Sequence, residues 1–493
     1  MKETKFKPAV WRTSLDGLRE AIGRVGSDGD EANSNDAQVG LLSFDKGLSL
    51  SLEVPFGTLI DREYIEFANG VRGYTGGYED VDAVFGFSQD GKWYVLKDAY
   101  VSNWSESMPG FSSQRIEGNS LTVSNQPISN KPAIKSVAVQ FDGFTKWFRN
   151  FNITRKYEMK KDEAGNYAGC EKVVYEYEPP ESTTLFQNDN LSITVAQSGI
   201  EDGGPVINSK AALSVVSRLV ISYAEPTELE EAVQTVVHQM RGLVALLTGV
   251  YCSVDEVKAF SPDEGLSVDY YAPFIKREHP VSNDEVMHMP FPFPIIQDKI
   301  PLVIERWFSL CPDAVNAATI LVSCLDGSIM SVDLTFIACA SALEALSRVG
   351  VNQERFTQED FEANMAAALS SIEDGEFREW LGRITFNRKS AGSLARKLMN
   401  GLKPFSSYLI PDAERFLRDH RLCRNAYVHR DGLESDGVLK GEDLYYHTKA
   451  VWFLCYAAIL NLIGISPEES LQAIEGSHYE DGAISQIRRQ YAK

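Results

Sequence analysis

Short stretches in which apolar and polar residues alternate dominate the chain up to about residue 213. They contain β-branched and aromatic residues and are separated by Gly, Asn, Asp and Ser, a pattern typical of antiparallel strands joined by turns. The clearest of them are residues 47–54, 92–96, 136–141, 172–177 and 191–195. This pattern predicts a β-rich first half that is built as a sandwich or a barrel.

A helical period replaces the alternation after Pro226. Apolar residues recur at three- and four-residue steps from Leu229 to Leu247, and Thr227 is a candidate cap. Prolines then disfavour regular structure at positions 280, 290, 292, 294 and 301. We therefore expect residues 1–300 to form one N-terminal region, β-rich over 1–215 and a helical, proline-rich connector over 216–300.

Helical spacing continues through the rest of the chain. It predicts helices near residues 302–310, 331–348, 357–371, 376–386, 391–402, 411–430, 441–464 and 483–491. The predicted fold class is α+β and multidomain, with an all-α bundle over 301–493 after the β-rich half.

Composition narrows the class of protein. The chain has 493 residues, of which 44% are hydrophobic and 24% charged, values ordinary for soluble globular proteins. The longest apolar run, residues 451–465, is too short to span a bilayer and contains Asn461. The first seven residues contain no apolar stretch of the signal-peptide type, and the seven cysteines show no Cys-x-x-Cys spacing. We expect a cytoplasmic protein with reduced core thiols and no membrane partner.

Charge is distributed unevenly. The whole chain has a net charge of −21, but residues 378–430 contain twelve Lys or Arg against four Asp or Glu. Such a basic segment would hold a phosphate backbone locally although the rest of the protein repels it. A solvated helix face with basic residues is the alternative interpretation.

One motif in this segment carries candidate chemistry. Arg424 is followed by Asn425 and, four residues later, by His429. These side chains supply a permanent cation, an amide and an imidazole that titrates near neutral pH. Roughly 0.05 such matches are expected by chance at this composition. A second Arg-to-His pair, Arg415 and His420, lacks the Asn, and His420 falls on the predicted core stripe, so we interpret it as a packed histidine.

Helix geometry constrains how the motif works. On an ideal helix Asn425 and His429 are about 40° apart, whereas Arg424 and His429 are about 140° apart. A single straight helix therefore does not direct Arg424 and His429 squarely at one phosphate. This offset favours a composite site between two protomers.

The motif on a late helix resembles that of the HEPN superfamily of ribonucleases and toxins, which combines Arg, usually a polar residue, and His. Residues 336–346 resemble an earlier helix of the family, on which Glu344 takes the place of an acidic residue that faces the site. An ordinary i,i+4 ion pair of Glu344 with Arg348 is equally compatible with the sequence. The β-rich half followed by this domain resembles the ApeA-like branch, which is associated with abortive defence against phage.

The resemblance implies a metal-independent endoribonuclease that needs no cofactor. His429 would take a proton from a ribose 2′-hydroxyl, Arg424 would hold the scissile phosphate, and Asn425 and Glu344 would complete the site. The products would be a 2′,3′-cyclic phosphate and a 5′-hydroxyl. We expect further contacts to the RNA, with tRNA a plausible substrate, from Arg388, Lys389, Arg396, Lys397, Arg421 and Arg430. The expected partners are a second copy of the chain, as a homodimer or higher oligomer, and a phage-encoded trigger that the N-terminal half senses.

Two other classes of function stay open. The first is a non-catalytic HEPN protein that dimerises and binds nucleotide. The second is an enzyme on the β-rich half that acts on carbohydrate through a carboxylate pair such as Glu79 and Asp80, although nothing in the sequence fixes their separation. His288, with Asp284 and Glu285 nearby, is interpreted as incidental rather than as a metal ligand.

Overall fold

The computed structural model separates the chain into two compact units. The first comprises residues 1–241 and 252–282, and the second comprises residues 242–251 and 283–493. The structure describes residues 5–24, 37–45, 49–66, 72–78, 81–106, 110–202, 212–262, 265–272, 281–326, 331–429 and 435–492.

Strands dominate the first unit, which confirms the predicted β-rich half. Their bounds are β1 Lys5–Arg12, β2 Gln38–Asp45, β3 Ser49–Val54, β4 Arg62–Glu66, β5 Arg72–Tyr78, β6 Val81–Ser88, β7 Trp93–Glu106, β8 Ser112–Glu117, β9 Ser120–Ser124, β10 Ala133–Phe141, β11 Ile153–Lys161, β12 Tyr167–Tyr177, β13 Thr183–Gln187, β14 Leu191–Asp202, β15 Ala212–Glu228, β16 Val254–Phe260 and β17 Ser267–Tyr271. Short helices accompany them at α1 Leu15–Arg24, α2 Phe144–Phe148 and α3 Leu229–Ala232. Each of the five stretches singled out by alternation overlaps a strand.

Six of these strands close into a barrel. Strand β1 pairs with β2 and β6, β7 pairs with β6 and β8, and β3 pairs with β2 and β8. The interior is filled by large side chains such as Trp11, Leu42 and Ile116, all fully buried. Trp11 lies against Gly86 of β6, where a Cβ would stand 2.7 Å from the indole ring. The glycine therefore lets the tryptophan cross the neighbouring strand.

The remaining strands of the main sheet continue from the barrel. They follow β7 in the order β9, β17, β16, β10, β15, β14 and β13. Strands β4 with β5, and β11 with β12, form two separate two-stranded ribbons.

The expected connector over residues 216–300 needs correction in its secondary structure. Strand β15 extends to Glu228, because Ser217, Leu219 and Ile221 continue an alternating buried face beyond residue 215. Strands β16 and β17 also lie in this range and pair between β10 and β9 in the main sheet. The predicted helical stretch is observed as α3, a π-helical turn over Val233–Val237, and α4 His238–Thr248.

Helices make up the second unit, as predicted for the second half. It contains the end of α4 and the helices α5 Asn283–Met287, α6 Phe293–Ile296, α7 Ile300–Phe308, α8 Pro312–Leu325, α9 Val332–Leu346, α10 Gln358–Ser370, α11 Gly375–Ile384, α12 Ala391–Gly401, α13 Phe405–Leu409, α14 Ala413–His429, α15 Gly441–Leu462, α16 Pro467–Ser477 and α17 Asp481–Gln490. Helices α5, α6, α8, α13 and α16 were missing from the sequence prediction, and α5 and α6 correct the expectation that the prolines of this segment exclude regular structure. Signals for α16 were nevertheless present, because Ser466 and Glu469 form a capping box and Pro467 occupies the first turn.

The core of the helical unit is built around α15. Its residues 450–460 are all buried, and it packs against α8, α9 and α17. Helix α9 also contacts α12 and α14. Phe336 and Ala340 of α9 share a buried cluster with Cys423 of α14 and Leu444 of α15. This packing fixes α14 beside α9, with the polar face of α14 left toward α12.

Candidate active site

Helix α14 carries the predicted motif and has clear reasons to form where it does. Asp412 precedes its first residue and accepts a hydrogen bond from the backbone N–H of Arg415 at 3.0 Å, which satisfies one free donor of the first turn. Phe416 and Cys423 are fully buried and Tyr427 packs on the same cluster, as the predicted core stripe requires. Because this stripe anchors one side, the arginines on the other side are presented outward.

Glu344 of α9 binds two arginines. Its Oε2 accepts a hydrogen bond from Arg424 Nη2 at 3.1 Å, and its Oε1 accepts one from Arg348 Nη2 at 2.7 Å. The Glu344 side chain is 24% exposed and that of Arg424 is 32% exposed. The ion pair therefore lies at a surface that solvent reaches, and the rest of the Arg424 guanidinium keeps further donors for a ligand.

A pocket of about 540 Å³ opens beside this ion pair. It lies between α9, the start of α12 and the polar face of α14. Its charged lining residues are Glu344, Arg396, Glu414, Arg418, Arg421 and Arg424. Four arginines against two glutamates leave the lining net positive, which suits an anionic ligand.

The four arginines differ in how they are paired. Arg396 is paired with Glu414, and Arg418 with Asp419, whose side chain is almost buried. Arg421 is exposed and has no ion-pair partner among the described residues. It is therefore the arginine most available to an incoming anion in this part of the pocket.

Two protein-family models match the chain. Residues 20–307 match the family described as ApeA N-terminal domain 1, and residues 337–469 match the family described as Apea-like HEPN. The first match alone covers more than half of the chain. No curated protein and no solved structure matched the chain.

The chain belongs to the ApeA-like HEPN family.

An Apea-like HEPN domain supports a nuclease-type defence protein, because HEPN domains are generally associated with ribonuclease activity. Within the described residues of this ApeA-like HEPN protein, no single helix is long and apolar enough to cross a membrane; α7 and α8 reach that length and composition only as a pair bent by 112°.

Three of the four predicted catalytic residues line the pocket. Arg424, Asn425 and Glu344 line it, and Asn425 is exposed. His429 is the last residue of α14, and its side chain lies outside what the structure describes.

Only some of the residues predicted to contact RNA line the pocket. Arg396 and Arg421 line the pocket. Arg388, Lys389 and Lys397 are not among its lining residues, and the Lys389 ammonium donates instead to the carbonyl oxygen of Asn352 at 2.7 Å. Arg430 lies outside the described residues.

His420 is a lining residue that sequence reasoning did not assign to the site. Its ring is packed as expected, stacked on Phe416 with centroids 5.9 Å apart and edge-on to Phe336 at 5.8 Å. Burial, together with the Arg424 cation, lowers the pKa of His420 to about 4, so the ring is neutral at neutral pH. The missed signal was the i,i+4 spacing from His420 to Arg424, which places both on one helix face.

The remaining candidates from the sequence are a metal site at His288, the carboxylate pair Glu79 and Asp80, and the cysteines. No cluster of three or more metal-ligating side chains occurs within the part of the chain that the structure describes. His288 lies 3.7 Å from Asp284, and its Nδ1 lies 2.8 Å from the carbonyl oxygen of Ser477. Glu79 and Asp80 lie outside the described residues. Cys170 and Cys311 are exposed, so the expectation that all thiols lie in the core is wrong for these two.

Proposed function

We propose that this ApeA-like HEPN protein is a metal-independent endoribonuclease that acts in abortive defence against phage. The observation that carries the proposal is Arg424, held by Glu344 in an arginine-lined pocket one helical turn before His429. The family assignment supports the nuclease class, and the cation and imidazole of the motif supply the chemistry.

In the proposed reaction the nucleophile comes from the RNA. The 2′-oxygen attacks the adjacent phosphorus while its proton passes to His429, and the bond from phosphorus to the 5′-oxygen breaks. The departing 5′-oxygen takes a proton from solvent. Arg424 donates to the non-bridging oxygens, whose negative charge grows in the transition state. The products are a 2′,3′-cyclic phosphate and a 5′-hydroxyl, and DNA does not react because it lacks the nucleophile.

The pocket favours a flexible RNA segment over a duplex. A volume of about 540 Å³ is that of a small-ligand pocket and not of a long groove. Nucleotides in single-stranded loops are splayed out and their backbones bend readily. Loops of structured RNAs, tRNA among them, meet this requirement, and Arg421 with Arg396 would hold the flanking phosphates.

The β-rich first unit is proposed as the sensor of the system. A constitutively active ribonuclease would poison the cell that makes it, so the population of the active state must be low until infection raises it. We assign the sensing of a phage-encoded protein to this unit and expect the active species to be a homodimer or a higher homo-oligomer.

The test uses the purified full-length chain and total RNA. Wild type should produce fragments with 2′,3′-cyclic phosphate and 5′-hydroxyl ends, and lysate from phage-infected cells should increase cleavage over lysate from uninfected cells. Arg424→Ala and His429→Ala should each abolish cleavage while keeping the thermal unfolding midpoint and the mass of the assembly. His478→Ala, an exposed histidine paired with Asp481, is the matched control and should cleave normally. Binding of RNA without cleavage under all conditions would replace the proposal with the non-catalytic alternative.

A further inference from the structure

A chain of three polar side chains runs through the core of the helical unit and ends at the pocket. Tyr491 and His447 are both fully buried. The Tyr491 hydroxyl lies 2.5 Å from His447 Nδ1, and His447 Nε2 lies 3.3 Å from His420 Nδ1. Buried polar groups are costly unless they are paired, so this arrangement requires a consistent set of protons.

The direction of these hydrogen bonds follows from Gln490. Its Nε2 donates to the backbone oxygen of Asp443 at 3.2 Å, which needs a donor and so sets the orientation of the amide, and also to the Tyr491 hydroxyl at 3.2 Å; Gln490 Oε1 is then buried without a partner among the described residues. The Tyr491 oxygen is thus an acceptor there, and its single proton is free only for His447 Nδ1. If His447 Nδ1 were instead the donor to the Tyr491 oxygen, the hydroxyl proton of Tyr491 would have no acceptor among the described residues.

The proton on each ring follows in turn. His447 receives a hydrogen bond at Nδ1, so as a neutral ring it has its proton on Nε2 and donates to His420 Nδ1. His420 then has its own proton on Nε2. Both rings hold a single proton at neutral pH, because burial lowers the pKa of His420 to about 4 and that of His447 well below its ordinary value.

The Nε2–H of His420 is available to a ligand. Within the described part of the chain this nitrogen has no hydrogen-bond partner, and it is not among the buried atoms left without one. The ring lines the pocket together with Glu344, Arg421 and Arg424. Its stacking on Phe416 fixes the direction of the donor.

We propose that His420 is a further binding residue of the pocket, which donates its Nε2–H to a phosphate oxygen of the RNA backbone, with the donor polarity set by Tyr491 through His447. This inference rests on the proposed function, because it names part of the contact with the same substrate. A neutral donor of this kind positions the phosphate but does not take the proton of the 2′-hydroxyl, which is the part assigned to His429.

Nitrogen NMR on the full-length chain with ¹⁵N-labelled histidine tests the polarity. His420 and His447 should both be in the neutral form protonated at Nε2 at pH 7. Tyr491→Phe removes the hydroxyl proton that determines which nitrogen of each ring is protonated, so the form protonated at Nδ1 should appear at both His447 and His420. A wild-type His420 protonated at Nδ1, or a Tyr491→Phe variant with unchanged tautomers, would overturn the proposal.

Binding is tested with a fluorescent decamer of mixed-sequence RNA whose riboses are 2′-O-methylated and so cannot be cleaved, in the His429→Ala background. His420→Phe keeps the stacked ring but lacks the donor, and should weaken binding by about 10-fold to 100-fold, the effect of one hydrogen bond to a charged group. His478→Phe should bind as the parent does. If His420→Phe fails to fold, Tyr491→Phe should still weaken binding.

The outcomes separate this inference from the proposed function. In the cleaving enzyme, His420→Phe should raise KM by at least about 10-fold and leave kcat nearly unchanged. Normal binding and normal KM in a folded His420→Phe would refute the role of His420 alone. Weakened binding in a protein that never cleaves RNA would refute the ribonuclease and keep the binding site. No binding by His429→Ala would overturn both.

Discussion

Glu344 accepts hydrogen bonds from Arg424 and Arg348 at the same time, one on each carboxylate oxygen, at 3.1 Å and 2.7 Å. The sequence offered two interpretations of this glutamate, a site residue or half of an ordinary i,i+4 ion pair. The structure shows that these do not exclude each other, because a carboxylate has an oxygen for each arginine. The pair with Arg424 joins α9 to α14 and fixes the guanidinium at the pocket wall.

The first prediction separates the two interactions of Glu344. Glu344→Ala should lower kcat for RNA cleavage by as much as about 100-fold, because Arg424 loses the group that orients it. Arg348→Ala removes only the other partner and should change kcat by less than about threefold. Single-turnover cleavage assays would measure both. Equal losses in the two variants would show that the local pair of Glu344 with Arg348 matters, and not the contact with Arg424.

The second prediction concerns the number of chains in one site. Arg424 and His429 are about 140° apart on a helix, which favours a site that draws these groups from two protomers. Co-expression of Arg424→Ala and His429→Ala chains should therefore restore partial cleavage in mixed dimers, although each variant alone is inactive. Native mass spectrometry provides the check on assembly, and a protein that stays monomeric with full activity would exclude a shared site.

The third prediction concerns the reaction itself. In the proposed reaction Arg424 and His429 supply the cation and the base for attack by the 2′-hydroxyl, so cleavage should persist in excess chelator. The fragments should accept a 5′-phosphate from a kinase without prior dephosphorylation and should carry cyclic 3′ ends. A strict requirement for Mg²⁺ or Mn²⁺, or 5′-phosphate ends, would point to a metal-assisted hydrolysis.

The fourth prediction concerns acid stability. The pKa of His420 is lowered from its ordinary value of 6.5 to about 4, so below pH 6.5 the unfolded chain binds a proton that the folded chain does not. Stability should therefore fall as the pH drops from 6.5 to about 4, by about 1.4 kcal/mol per pH unit for each such histidine. The buried His447 adds to this loss. In denaturant unfolding, the free energy of unfolding of His420→Phe should fall less steeply with decreasing pH than that of the wild type. An identical slope would contradict this prediction.

What the sequence predicted, and what it did not, has a physical basis. Alternation and helical period are local properties, so the β-rich half, the helical half and the buried stripe of α14 were correct. The closed barrel depends on β1 pairing with β6 and on β3 pairing with β8, strands that lie far apart in the chain, and no local pattern specifies such pairings. The position of His420 beside Arg424 was visible as spacing, but its link to Tyr491 joins residues 71 positions apart and required tertiary structure.

Helix α8 illustrates the other limit. Its buried face consists largely of Ala314, Ala317 and Ala318, which are small and give little contrast with the polar positions between them. The helix was missed because the pattern of hydrophobicity is weak, although Pro312 at its start is a favourable signal. Strands β16 and β17 were missed because the prolines that follow them dominated the interpretation of the segment.

The last prediction concerns the boundary of the helical unit. The sequence suggested that residues 301–493 form a separate domain, so the sensor hypothesis could be tested by comparing the toxicity of this fragment with that of the full chain. Residues 242–251, however, belong to the same compact unit as the helices. The Tyr479 hydroxyl donates to the Gly249 carbonyl oxygen at 2.9 Å, and Leu246 and Leu247 are fully buried.

A fragment that begins at residue 301 should therefore unfold or aggregate, because it lacks two buried leucines worth about 1.5–3 kcal/mol each and leaves the Tyr479 hydroxyl unpaired. Thermal unfolding and solubility measure this directly. Gly249→Ala in the full chain is the point-mutant counterpart. The added methyl would lie 2.5 Å from the Tyr479 ring at a φ of +69°, so the variant should also melt at a lower temperature.

A fragment that melts like the full chain would show that the cut is harmless, and its toxicity would then report on the sensor. If the fragment does not fold, its lack of toxicity says nothing about gating, and activation of the full chain by infected-cell lysate becomes the deciding comparison.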